Sequence, residues 1–392
     1  MNRPSLWLVG RIATGDGTLP FDGVIGIENG RIAEVRVGRE TAPKPAGDGR
    51  SGPTVVDVGD RWIVPGFVDL HVHGGAGADV MDGDPEALAV MCRHHLRHGT
   101  TSLLLTTMTA PDDRIERALQ AAAAFRRGHE WGTLALGVHL EGPFISPRWP
   151  GAQHPAHIRP ADADRVRRWA RIEPGLVRML TLAPETEGAR ETVLEAVRHG
   201  IVVACGHTDA TYEQVRKAIG WGVRHAVHCY NAMRPFRHRD PGTLGAVLLS
   251  TELTTELILD GHHLHPAAAR LALGCKRDRV CLVTDAIRAS GMPDGEYELG
   301  GLTLTVKDGV ARTADGQLAG STLTMDRALG YLVRELGVPL HEAVRHATRI
   351  PADVIGAYRK GRIAPGADAD LVVLEPDAVR VERVMVGGRW AD

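Results

Sequence analysis

The sequence has no surplus of either charge. Its 46 Lys and Arg against 48 Asp and Glu leave a formal charge of -2 over 392 residues. Without a polybasic surface, neither nucleic acid nor anionic membrane is an expected partner, and a small molecule takes their place. Cysteine is scarce: Cys92, Cys205, Cys229, Cys275 and Cys281 form no CxxC pair and leave one over, which excludes a disulfide framework and points to a reducing compartment. Long apolar runs are missing too. Met1 to Arg11 carries only Leu6-Trp7-Leu8-Val9, too short for a signal-peptide core or a membrane span, so a cytoplasmic location is expected. No repeat of constant period and no low-complexity tract is found.

What is present is ordinary for a soluble globular protein: 43% apolar and 24% charged residues, with 46 glycines implying many tight connections. The length suits one large barrel plus a smaller domain. Short β-like runs occupy the first 60 residues, at Ser5–Ala13, Gly23–Glu28 and Arg31–Val37, with a turn at Glu28-Asn29-Gly30. A Pro/Gly/charge-rich loop, Gly38–Pro53, follows. Asp370–Leu374 and Val381–Val386 repeat the style near the C-terminus, and the two ends are expected to pair, since neither alone has strands enough to bury a face.

Between them, eight apolar runs alternate with helical stretches: Ile63–His71, Ser102–Thr107, Leu134–Glu141, Leu176–Leu182, Ile201–Cys205, His225–His228, Glu256–Leu259 and Val280–Asp285. Helices are expected at Asp84–Arg97, Asp112–Arg127, Thr186–Arg198 and Thr211–Ile219. Eight βα units predict a (β/α)8 TIM-like barrel of the α/β class over 61–356, with chemistry at the C-terminal strand ends. An open doubly wound sheet is the competing architecture. A β insertion is expected near 295–320, then helices Leu323–Leu336 and Leu340–Thr348, and a small β-sandwich domain from 1–60 and 357–392.

The third run stops at Glu141, and Gly142-Pro143 then turns the chain away. A carboxylate at a buried strand end is costly unless a cation or strong donors meet it. Other strand ends supply candidates. The first ends in His71-Val72-His73, whose alternate positions face one space; the fifth runs into His207, the sixth ends at His228, and the eighth at Asp285. Singly each is weak, and Asp285 could be a helix N-cap. Together they form a nitrogen and oxygen set suited to zinc or iron.

His139-Leu140-Glu141-Gly142-Pro143, Gly206-His207-Thr208, His228-Cys229-Tyr230-Asn231-Ala232-Met233 and Thr284-Asp285-Ala286 carry a resemblance to the amidohydrolase superfamily. Within it they resemble the branch that deacetylates N-acetylglucosamine-6-phosphate. Many relatives outside that branch place a carboxylated lysine where Glu141 stands. The resemblance implies a metal-dependent hydrolase in which Glu141, His207 and His228 hold the principal divalent metal and Asp285 is the general acid/base at its edge. His71 and His73 would hold a second metal where one is bound.

It further implies substrate contacts from Ala152, Asn231 and Ala232, and phosphate contacts from Arg239, chosen over Arg234 and Arg237 by spacing. His263 is selected over His262 and His265 by the Asp260-Gly261-His262-His263 motif. Leu318, Ala319 and Gly320 would border the acetyl group. A homodimer sharing substrate contacts is implied. One position departs from the pattern. Gln153 stands where relatives often have a carbonyl-polarising histidine, with His154 beside it. That keeps open a deacylase or cyclic amidase acting on an unphosphorylated N-acyl amine. A non-catalytic barrel would be expected to have lost ligands, and none is lost.

Overall fold

Alternating apolar residues at the two chain ends resolve into one mixed sheet in the computed structural model, which describes residues 4–43 and 53–391. Most of the predicted Gly38–Pro53 loop, and the first residues of the Met1–Arg11 segment, lie outside them. The sheet has seven strands, in the order Arg389–Ala391, Arg380–Val386, Leu371–Glu375, Thr54–Pro65, Leu6–Ile12, Phe21–Glu28 and Arg31–Val37. The ends therefore do pair: Leu371 lies opposite Pro65 and Leu374 opposite Trp62. Asn29 and Gly30 both take positive φ, 50° and 76°, the two-residue turn that Asn-Gly favours because its twist matches the strands it joins. Leu8, Ile12, Ile25, Ile32, Ile63, Leu371 and Met385 form the buried cluster of this sheet.

The second sheet holds eight strands in chain order, all neighbours parallel where their registers are given. They are β1 (Phe67–Val72), β2 (Thr100–Thr107), β3 (Ala135–Glu141), β4 (Val177–Leu182), β5 (Val202–Cys205), β6 (Val223–Ala226), β7 (Thr254–Ile258) and β8 (Val280–Val283). A parallel bridge from Val72 to Ala286 closes the ring, aided by Asp285 N–H donating to His71 O at 2.9 Å. Every residue of β1 and β2 is buried, as expected of parallel strands covered on both faces. The fold is thus the (β/α)8 barrel. A separate three-stranded antiparallel sheet, Gly295–Leu299, Leu302–Lys307 and Val310–Thr313, fills the predicted insertion.

Helices follow the strands. They are α1 (Pro85–Arg97), α2 (Asp112–Gly128), α3 (Ala163–Ile172), α4 (Ala189–Arg198), α5 (Tyr212–Trp221), α6 (Gly242–Leu249), α7 (Pro266–Lys276) and α8 (Met325–Arg334), with α9 (Leu340–Ala347) and α10 (Arg349–Val354) after them. α5 starts where Thr211 and Gln214 cap each other's backbone N–H groups, the reciprocal arrangement that satisfies two orphan donors. No helix among the described residues is long and apolar enough to cross a membrane. By contact the chain divides into two units, one comprising the residues up to Val68, His95–Ser102 and those from Met325 on, the other Asp69–His94 and Leu103–Thr324.

Two runs differ from expectation. Ile63–His71 is two strands: Thr54–Pro65 ends in the terminal sheet and β1 begins at Phe67. The break falls at Gly66, where a Cβ would come within 2.1 Å of the Thr101 hydroxyl, so the chain can turn only without a side chain. Because Ile63, Val64, Phe67 and Val68 are all fully buried, the apolar run reads straight through the junction. The sixth run, His225–His228, is β6 shifted two residues earlier, leaving His228 beyond the strand.

α7 ends in a buried ammonium. Lys276 is 3% exposed and donates to the carbonyls of Val247 and Ser250 at the end of α6. Burial pushes its pKa down to about 8. A cation whose folded pKa lies below its unfolded value costs stability while charged, and that cost is relieved as pH rises through the folded pKa. The relief amounts to roughly 3 kcal/mol, growing above pH 8 and complete only beyond the unfolded pKa of about 10.5. Lys276→Met lacks this term, so the Tm of the wild type relative to the variant should rise by several degrees between pH 7.5 and 10. A constant difference in calorimetry across that window would contradict it.

Candidate metal centre and active site

The side chains singled out in the sequence meet at the C-terminal mouth of the barrel. His71 lies on β1 and His73 one residue beyond it; Glu141 is the last residue of β3; His207, His228 and Asp285 each stand two residues past the ends of β5, β6 and β8. All six are buried. His207, His228 and Asp285 take φ of 47°, 28° and 49°, and the nearby Tyr230 and Ala232 are also positive. Such left-handed geometry in non-glycine residues costs of order 1–3 kcal/mol each and gathers where surroundings impose it for a purpose. Here it turns His207 and His228 from the strand ends onto Glu141, and Asp285 onto His71 and His73.

Glu141 Oε1 lies 3.2 Å from His71 Nε2, 3.3 Å from His207 Nε2 and 3.0 Å from His228 Nε2. Its Oε2 lies 3.4 Å from His73 Nε2 and accepts from Gln153 Nε2 at 2.5 Å. Asp285 Oδ1 is 3.2 Å from His73 Nε2 and 3.6 Å from His71 Nε2.

The opposite ring nitrogens are already committed. Nδ1 of His71 meets Glu256 Oε2 at 2.9 Å, and Nδ1 of His73, His207 and His228 meet the carbonyls of Thr106, Trp149 and Asn231 at 3.2, 2.9 and 3.2 Å. Carbonyls and carboxylates only accept, so each Nδ1 carries a proton, and with that proton alone each ring would turn an Nε2 lone pair inward. Four lone pairs facing two carboxylates repel unless a cation sits among them. The Nε2 of His71, buried and without a hydrogen-bond partner, shows the same need, and His207 and His228 Nε2 approach to 3.2 Å.

Two overlapping sets, His71/His73/Asp285 and His71/Glu141/His228, bring three ligand atoms within 4.8 Å of one another. This donor chemistry fits zinc or iron.

Protons supply the positive charge when no ion does. Burial opposes charge on His71, but Glu141, Glu256 and Asp285 outweigh it and hold the ring well above the ordinary imidazole range. His73, likewise buried, is raised to about 9 by Asp285 and Glu141. Against their own desolvation, Glu141 is held below the usual carboxylate range by His71, His207 and His228, and Asp285 by His71 and His73. His139 differs. Burial and the neighbouring His71 push it down to about 3, and both its nitrogens are taken, by Leu70 O at 3.1 Å and Thr181 Oγ1 at 2.7 Å. It packs as a neutral ring behind the centre.

A cavity of about 570 Å³ opens above the cluster. Ala152, Gln153, Asn231 and Ala232 line it, as do His263, Leu318 and Gly320. Ala319 is fully buried, with its N–H on Ala311 O. Gly320, at φ 56°, must be glycine, since a Cβ would meet Ile287 Cγ2 at 2.5 Å and Asp285 O at 2.9 Å.

Gln153 is anchored by Thr109 N–H at 2.6 Å, whereas His154 lines a separate cavity with His157 and Arg288. His263 is held by Asp260 Oδ2 at 2.7 Å, while His265 caps α7 through Ala267 N–H. Arg234 is bound to Asp240 at 2.7 Å. Arg239 is not brought into the cavity: it lies exposed on the Pro235–Arg239 loop.

Glu256, fully buried on β7, went unrecognised as a site residue in the sequence. Its signal was the one that exposed Glu141, an acid in an apolar run, but without a following turn to mark a strand end.

Comparison with known proteins adds a further observation. Residues 62–391 match the amidohydrolase family. The chain is 39% identical over 343 residues to an N-acetylglucosamine-6-phosphate deacetylase from Vibrio furnissii, covering 87% of this chain and 86% of that one. It is also 39% identical over 343 residues to an N-acetylgalactosamine-6-phosphate deacetylase from Escherichia coli O157:H7, covering 86% and 91%. The structure of a mutant N-acetyl-D-glucosamine-6-phosphate deacetylase from Mycobacterium smegmatis, in complex with N-acetyl-D-glucosamine-6-phosphate, superposes with a TM-score of 0.89 at 36% identity and 98% coverage of both chains.

Proposed function

The chain belongs to the amidohydrolase family, and from that premise we propose that it hydrolyses the acetamide of N-acetylglucosamine-6-phosphate, releasing glucosamine-6-phosphate and acetate. The observation that carries the reading is the convergence of four histidine Nε2 atoms on Glu141 and Asp285 at the mouth of the barrel, beneath one cavity. The family's chemistry is metal-dependent. Glu141, His207 and His228 are the proposed ligands of the principal zinc or iron ion, and His71 and His73 offer a second position, giving one or two ions per subunit. When bound, such an ion lowers the pKa of a water towards about 7 and stabilises negative charge on the carbonyl oxygen.

Asp285 takes a proton from the attacking water as the C–O bond forms, then delivers it to nitrogen as the C–N bond breaks, so the product departs as a neutral amine. Gln153, which can donate an N–H but carries no charge, orients the acetyl end. Leu318, Ala319 and Gly320 border the acetyl group, and Ala152, Asn231 and Ala232 contact the sugar. His263 and Arg239 bind phosphate. Since Arg239 lies outside the cavity lining, it is proposed to reach the phosphate of a second copy in a homodimer. A cytoplasmic setting suits five free cysteines, four of them buried.

The equal identity to a galactosamine-type relative favours a second reading at one atom, the configuration at C4 of the sugar. The deciding assay measures acetate release from both 6-phosphates and from unphosphorylated N-acetylglucosamine, with metal content on the same sample. The expected result is bound metal and a kcat/KM at least about 100-fold higher for a phosphorylated sugar, because a site built for a charged group rejects the analogue lacking it. Comparable rates without phosphate would favour the unphosphorylated N-acyl amine instead. Arg239→Ala should raise KM for the phosphorylated sugar about 10-fold and leave the unphosphorylated one unchanged; an equal loss on both would remove Arg239 from the phosphate site.

A further inference from the structure

Glu256 is a buried carboxylate with no Lys or Arg among its hydrogen-bond partners and no place in the reaction as proposed. Its side chain is fully inaccessible, and an ion in such a place is expensive unless its lone pairs are met. Three donors meet them. Oε2 accepts from His71 Nδ1 at 2.9 Å and from the backbone N–H of His228 at 3.1 Å, and Oε1 accepts from His225 Nε2 at 3.1 Å. His225 is itself held by Thr254 Oγ1 at 2.6 Å.

One oxygen thus reaches two residues of the proposed metal centre from behind. At His71 it fixes the proton on Nδ1 and the lone pair on Nε2, the nitrogen that is buried without a partner and turned towards Glu141 and Asp285. At His228 it holds the N–H of a residue whose φ of 28° is outside the range side chains favour, and that twist brings the ring within 3.0 Å of Glu141. His73, His207 and His228 direct their Nδ1 protons at neutral carbonyls; among the four rings, His71 alone has a carboxylate there. A carboxylate behind a ligating imidazole orients the ring and makes it a stronger donor than a carbonyl does.

We infer that Glu256, braced by His225, is a positioning residue that couples the two halves of the centre, presenting His71 as a ligand while locking the backbone turn that presents His228. The inference rests on the metal-dependent reading above. It assigns Glu256 no contact with substrate.

The test uses full-length wild type, Glu256→Met and Glu256→Gln, each stripped with a chelator and titrated with zinc against a chromogenic competitor. Glu256→Met keeps the volume and removes the acceptors, and zinc affinity should fall 10- to 100-fold. Glu256→Gln keeps one oxygen able to accept from both His71 and His228 while its NH2 faces His225, so it should restore most of the affinity. If Glu256→Met is not recovered folded, ring 15N–1H spectra of zinc-loaded wild type and Glu256→Gln decide. A strongly hydrogen-bonded His71 Nδ1 proton should move upfield when the carboxylate becomes an amide, and an unmoved signal overturns the proposal. Wild-type zinc affinity in Glu256→Met overturns it as well, as does a Gln variant no better than Met. A wild type that binds no zinc would instead remove the metal-dependent reading on which all of this stands.

Discussion

Asp285→Asn is expected to keep the principal divalent metal and to lose at least about 1,000-fold in kcat, the upper range of what a positioned acid/base supplies. Asp285 sits at φ 49°, a conformation Asn tolerates better than any other side chain of its size. Its backbone N–H bond to His71 O and its carbonyl bond from Ser321 N–H, both within 2.9 Å, do not involve the side chain. The barrel seam should therefore survive. Glu141, His207 and His228 are untouched, so the principal metal position survives too. What disappears is a carboxylate able to accept a proton from water and return it to the amine. Amide and carboxylate differ little in shape, so a fall in kcat with metal retained isolates proton transfer. Acetate release and elemental analysis on one sample make the measurement, and a near-native kcat would end the acid/base assignment.

The residues that sequence reading found and those it missed divide along a physical line. Glu141, His71 and His73 were visible because a polar residue ending an apolar run is a local pattern. His207, His228 and Asp285 were visible as residue types, but not the left-handed turns that aim them, because those turns are imposed by contacts distant in sequence, such as the Glu256 bond to His228 N–H. Glu256 was hidden by its position inside a strand. The opposite error occurred at Gly66, where two buried strands abut and the apolar pattern shows no gap, although Pro65-Gly66 stands at the break. Gln153 and His154 were adjacent alternatives in sequence. Their separation into different cavities follows from the Thr109 N–H that anchors Gln153, a contact 44 residues away in the chain and invisible to any local rule.

Glu141→Gln should have the complementary effect, losing metal and activity together, with kcat reduced by at least about 1,000-fold through loss of the ion's contribution. The substitution is nearly isosteric, so its effect comes from donors and charge. In the wild type, Oε1 faces the Nε2 atoms of His71, His207 and His228, and Oε2 accepts from Gln153 Nε2 at 2.5 Å. An amide cannot satisfy both sides. With its oxygen towards the histidines, its NH2 confronts the NH2 of Gln153, whose own oxygen is held by Thr109 N–H. With the amide flipped, the NH2 points at the histidine lone pairs and occupies the space a cation needs. The second arrangement makes more hydrogen bonds, so the variant should fold with an amide proton standing in for the ion. Chelator-stripped wild type should be equally inactive but recover when zinc or iron is restored, whereas Glu141→Gln should not recover at any metal concentration the wild type responds to. A variant that kept both its metal and its turnover would remove Glu141 from the ligand set, and with it the reason for a charged side chain at the buried end of β3.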